Sequence, residues 1–154
     1  MGTYYVYASM ANKALTKQID LVNDTIKVAL VTGSYVPNTD TRDEWNDASA
    51  FESNGSGYTA GGNVLSSKTL TYDATKNEWT WDAADTSWTN ANLTFRYAVL
   101  YDDTATGKPL IAYVDFGTAQ TVTNQNVTIR WEISEQDPDS GSFYFDSGIL
   151  RVSL

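Results

Sequence analysis

Histidine and cysteine are both absent from this 154-residue chain. Without cysteine there is no disulfide framework and no thiolate zinc site. Without histidine the commonest metal ligand and the commonest general base near neutral pH are missing as well. Basic residues are few, ten Lys and Arg against nineteen Asp and Glu, and a net charge of -9 opposes the phosphate neutralisation on which nucleic-acid affinity rests. No nucleic-acid partner is expected. No apolar run is long enough to span a membrane, so no membrane partner is expected either. The start, Met1-Gly2-Thr3-Tyr4-Tyr5-Val6-Tyr7, lacks the basic segment and apolar core of a secretory signal. There is no phosphate-cradling glycine loop, and no serine stands in a Ser-x-x-Lys or Gly-x-Ser-x-Gly pattern. The residues left for chemistry are few, and a non-enzymatic binding or structural role without cofactors is the expectation.

What the chain has is β-prone apolar sequence. From Arg96 to Phe116 two apolar runs flank a polar turn containing Gly107 and Pro109, which predicts a hairpin buried on both faces. The length suits one domain burying about two thirds of its unfolded surface. Ser9 is placed to cap a short helix with Ala11, Ala14, Leu15, Gln18 and Ile19 on one face. From Thr25 the period becomes two, with Ile26, Val28 and Leu30 on one side and Lys27, Ala29 and Val31 on the other. Further strands are predicted at 64–72, 78–82, 93–101, 110–116, 121–133 and 149–154. The clearest alternation puts Val127, Ile129, Trp131 and Ile133 inward against Thr128, Arg130 and Glu132. Residues 32–62 read as an unusually long polar loop, partly ordered, with one or two helical turns over 43–50 behind the capping-box pattern Thr41-Arg42-Asp43-Glu44. Residues 73–77 fit a turn, and 143–145 a hairpin arm. The expected fold is an all-β, jelly-roll-like β-sandwich with a short N-terminal helix and a long polar loop. It is divided into an N-terminal arm and helix, 1–19, and a sandwich domain, 20–154.

Three constellations invite chemistry. Glu78, Asp82 and Asp85 lie beside Trp79, Trp81 and Trp88, the residue types of a glycosidase cleft or of a sugar-stacking platform. The stronger reading places Trp79 and Trp81 in the core and the acids in solvent at turns. Asp137, Asp139 and Ser142, with Glu135 nearby, suggest oxygen ligands for calcium, but Ser142 occupies the glycine position and Gly148 the position of the bidentate glutamate, so a solvated acidic turn is preferred. Asp102 and Asp103 read as turn residues that end strand pairing. The run Tyr4, Tyr5, Val6 and Tyr7 reads equally as a strand of its own domain and as an arm that joins a neighbouring subunit.

Four segments together resemble a family of small structural proteins of tailed bacteriophages: Asp24-Thr25-Ile26-Lys27-Val28-Ala29-Leu30-Val31-Thr32; Gly57-Tyr58-Thr59-Ala60-Gly61-Gly62; Arg96-Tyr97-Ala98-Val99-Leu100-Tyr101; and Pro109-Leu110-Ile111-Ala112-Tyr113-Val114-Asp115-Phe116-Gly117. The ending Gly148-Ile149-Leu150-Arg151-Val152 fits as well, whereas 132–147 looks like an inserted acidic and aromatic segment. The resemblance implies a capsid cement or decoration protein. Such a protein is made in the bacterial host cytoplasm, binds the major capsid protein on the outer capsid surface of the virion, and self-associates, most simply as a homotrimer. Contact elements expected on this reading are Tyr4, Tyr5 and Tyr7 of the arm and Trp45, Phe51 and Tyr58 of the long loop. The alternatives are a virion carbohydrate- or host-binding module that uses Trp79, Trp81 or Trp88, and a tail or head-to-tail joining protein.

Overall fold

The computed structural model describes residues 2–131 and 148–153. The fold is all-β and sandwich-like, two antiparallel sheets with two short helices. The elements in chain order are β1 (Thr3–Val6), α1 (Ala8–Leu15), β2 (Ile26–Val31), α2 (Asn46–Ser49), β3 (Asn63–Val64), β4 (Thr69–Asp73), β5 (Glu78–Asp82), β6 (Thr86–Asp102), β7 (Leu110–Ile129) and β8 (Leu150–Ser153). One sheet has the order β1-β7-β6-β2-β3 and the other β4-β5-β8. The expected jelly-roll order is a finer statement than this arrangement makes.

The centre is the five-stranded sheet, and over its central strands both faces are closed. Alternation along β2 sends Ile26, Val28 and Leu30 to one side, where they meet Leu100, Trp81 and Trp131. Ala29 and Val31 go to the other side, among Tyr35, Trp45, Tyr97, Tyr101 and Tyr113. The hairpin of β6 and β7 continues both layers: Val99, Leu100, Leu110, Ile111 and Val114 are all 0% exposed. Each such side chain contributes roughly 1.5 to 3 kcal/mol by leaving water. The second layer is covered by the segment 32–62, which is packed rather than loose: Tyr35, Trp45 and Ala48 are buried within it. Its glycines allow that close approach. Gly62 has φ 74°, and a Cβ there would run into the Val28 carbonyl.

Several local expectations are corrected. Helix α1 starts at Ala8 with Tyr7 at its N-cap and no side-chain cap, and it ends at Leu15, so Ser9 caps nothing. Its buried residue is Met10, while Leu15 is 86% exposed and Ile19 is buried beyond the helix end. Helix α2 is shorter than 43–50, and the Asp43 and Glu44 N–H groups donate to the Asp47 carboxylate at 3.0 and 3.4 Å, replacing a Thr41 capping box. The strand expected over 64–72 is two strands in different sheets, separated where Ser67 takes φ 52°.

The strands expected at 110–116 and 121–133 are one strand, β7, carried through an irregularity at Gly117 with φ 79°. Asp115 braces that bulge, accepting the Gly117 N–H at 2.8 Å and gripping Arg96 through two bonds of 2.9 and 3.0 Å. Val127, Ile129 and Trp131 are buried as the alternation predicts. Ile133, Glu132 and the 143–145 arm lie outside the described residues.

Candidate interaction surface

The residues expected to make contacts are mostly inside. β1 pairs antiparallel with β7 of its own chain, Thr3 with Asp115 through Val6 with Ala112. The structure therefore shows the in-domain strand rather than the arm, and the segment 1–19 contributes Tyr7, Met10 and Ile19 to the core. The Tyr7 hydroxyl meets that of Tyr35 at 2.9 Å, and burial, followed by this bond, pushes its pKa far up. Tyr4 is raised too, by burial. Trp45 stacks flat on Tyr101, centroids 4.5 Å apart and planes 6° from parallel. Phe51 packs against Tyr35 at 5.9 Å. The Tyr58 hydroxyl donates to Glu52 at 2.6 Å and accepts the Leu30 N–H at 3.0 Å. Tyr5 alone among the six is exposed, and its ring stacks on Tyr113 at 4.9 Å. Tyr7, Trp45 and Phe51 close the outer layer of the large sheet, and Tyr4 and Tyr58 pack against the cluster on its other side.

The carboxylates are also engaged. Glu78 is buried beside Arg151 at 3.4 Å, not solvated as expected. The Asp82 side chain accepts the Ala83 N–H at 2.8 Å, and Asp85 accepts the Trp131 N–H at 3.3 Å with Arg130 at 3.9 Å. Each of the three acids fastens its own stretch of backbone or neighbouring cation, which is a structural role. Asp102 and Asp103 do sit where β6 ends: Asp102 accepts the Thr104 and Ala105 N–H groups at 2.9 and 3.1 Å, and Asp103 bridges Lys27 and Lys108 at 2.8 and 2.7 Å. Asp102 is fully buried, and its carboxyl is pushed up to about 6 by burial and then by the adjoining Asp24 carboxyl. Among the described residues no group of three or more acidic side chains is placed to hold a metal ion. The calcium candidates Asp137, Asp139, Ser142 and Glu135 lie outside those residues.

An exposed apolar face lies on the small sheet. Registers of Leu70 with Trp81, Tyr72 with Trp79, Trp79 with Val152 and Trp81 with Leu150 set six apolar side chains on one face. Trp81 is 1% exposed and donates its indole N–H to the Leu21 carbonyl at 3.0 Å. Trp79, expected beside it in the core, is instead 40% exposed, and so are Leu70, Tyr72 and Val152 to similar or greater extents. Between this face and α1 runs an apolar groove of about 500 Å³, walled by Met10, Ala14 and Leu15 on one side and Leu70, Trp79 and Val152 on the other. Trp88, the third tryptophan of the sugar-platform reading, is buried.

The residues missed by sequence reasoning are Leu70, Tyr72 and Val152. Their signal was three strands each carrying apolar residues two apart, and what converts that into a surface is register, which no local pattern contains. No family model matches this chain, and no curated protein or solved structure matches it either.

Proposed function

We propose that this protein is a non-enzymatic structural component of a tailed-phage virion, a cement or decoration protein that attaches to the major capsid protein on the outside of the head and self-associates there, most simply as a homotrimer. The observation that carries the reading is the open apolar face of Leu70, Trp79, Val152 and Leu15, set on a domain packed on both sides of its main sheet. An exposed apolar patch of this kind marks a protein-contact surface rather than a solvated one. A rigid block with one apolar contact face, repeated over a lattice, clamps a shell by multivalency without needing chemistry of its own. The engaged carboxylates at Glu78, Asp82 and Asp85 support the same choice.

One observation favours a second reading, a carbohydrate- or host-binding module: Trp79 and Tyr72 are both exposed, with centroids 5.3 Å apart and planes 39° apart, on a sheet face. An apolar lining without polar groups to read sugar hydroxyls makes it the weaker of the two. The test is immunogold electron microscopy of phage particles with antibody against the recombinant protein. Gold scattered over intact heads is the expected result. Gold confined to the tail or its tip overturns the cement reading.

A further inference from the structure

Charge is unevenly distributed on this acidic chain. Residues 53–67, 86–95 and 116–129 contain no Lys, Arg, Asp or Glu, and the fold brings these three stretches together. The first half of β6 and the second half of β7 form a two-stranded ribbon, Thr86 opposite Ile129 through Phe95 opposite Gln120. Its outer side carries hydroxyls and amides joined in pairs: Ser87 with Thr128 at 2.9 Å, Thr94 with Thr121 at 2.9 Å, and Asn92 with Asn124 at 3.1 Å. The 53–64 loop lies along the β6 flank, where Ser56 accepts the Asn92 N–H and the Asn63 amide reaches the Ser87 carbonyl. Among the described residues the charges at the two ends of the ribbon are paired within the chain: Arg96 with Asp115 at 2.9 Å and Arg130 with Asp85 at 3.9 Å.

The other flank is open among the described residues. β1 covers β7 only as far as Asp115, so among the described residues the edge from Gly117 to Ile129 has no strand beside it. Soluble proteins blunt such edges with lysine, proline or inward charge, and this edge has none of them. Elsewhere two copies of a chain of net charge -9 repel one another. On this belt they meet without like charges among the described residues, through side chains that both donate and accept hydrogen bonds.

We infer that the uncharged belt is the self-association surface, occupied by a second copy of this chain along the free edge of β7. The inference rests on the proposed reading of a self-associating structural protein and assigns the face. The belt has two neutral flanks, the β7 edge and the 53–64 loop. A copy bound at one leaves the other free, as a closed ring of copies requires.

The experiment is sedimentation analysis of the full chain over a wide concentration range, with two double variants at exposed edge positions, Thr123→Lys with Gln125→Lys and Thr123→Glu with Gln125→Glu. Thermal unfolding of each variant checks that it folds. If the belt is the contact, charge of either sign is buried without a partner, and both variants weaken association about tenfold or more. If only net charge matters, the lysine variant associates more tightly and the glutamate variant less, which overturns the assignment. Wild-type association left unchanged in both variants overturns the assignment and leaves the self-association reading standing. A wild-type chain that stays monomeric at every concentration overturns both.

Discussion

Trp79 and Trp81 stand two residues apart on β5 and point to the same side, yet Trp81 is 1% exposed and Trp79 40%. The difference belongs to what lies opposite. Trp81 faces the five-stranded sheet, whose own two faces are closed over its central strands, one by the small sheet and one by the 32–62 segment. Trp79 sits on the part of the small sheet that overhangs this core and faces α1 across a groove that no other described residue fills. The same residue type on the same face is thus stability in one place and surface in the other. The closed region shows what the chain needs in order to fold, and the open region shows what it keeps available.

The largest effect that sharpens this contrast is expected at Trp81. Trp81→Ala leaves a cavity at the junction of the two sheets and frees the Leu21 carbonyl, so urea denaturation should show a loss of about 3 to 5 kcal/mol. A loss comparable with that at an exposed tryptophan would break the division into closed and open regions.

Next in size is a pH effect inside the closed region. The folded chain holds the Asp102 proton more tightly than the unfolded chain, with a pKa near 6 against an ordinary 3.8. Its contribution is therefore complete below 3.8 and is lost as pH rises through about 6. The loss is on the order of 2 kcal/mol. Asp115 acts the other way, because Arg96 holds its carboxyl below the ordinary value and its contribution fades as pH falls through that lower range. Stability measured against pH should decline from about 4 to about 6, and Asp102→Asn should flatten that slope while leaving the acid limb intact.

Smaller again is Tyr7→Phe. It leaves the buried Tyr35 hydroxyl without its 2.9 Å partner, at a cost of about 1 to 2 kcal/mol by thermal or chemical unfolding. A neutral result would mean that the outer layer around Tyr7 admits water.

How much of this was legible follows the same division. Period-two alternation placed Ile26 to Val31 and Val127 to Ile129 in their strands with the right sides inward, because one residue's burial dictates the next but one. The break at Ser67 and the continuity of β7 through Gly117 were not legible, since a left-handed residue reads as a turn whether or not the strand resumes in the same sheet. The aromatic residues of the long loop were legible as apolar but not as inside or outside: Trp45 found Tyr101, and Tyr58 found Glu52, from far along the chain or across a loop. The open groove was the least legible feature, because it is defined by the absence, among the described residues, of a covering element over Leu70, Trp79 and Val152, and that is a property of topology.

The smallest effect on folding is expected at Trp79, and it is the one that tests the proposed capsid contact. Trp79→Ala removes a half-exposed ring whose packing partner is Tyr72 at 5.3 Å, so the fold should lose no more than about 1 kcal/mol. Binding to purified capsids lacking the protein should nevertheless fall, because a tryptophan at the centre of an apolar contact face is the residue type on which interface energy concentrates. Co-sedimentation of wild-type and variant protein with such capsids reads this directly. Stability kept and capsid binding lost would place the contact on the groove. Stability and binding both kept would move the capsid contact to another face of the molecule. A large loss of stability would mean that the overhang is part of the core, and that the two tryptophans differ in exposure but not in what they do.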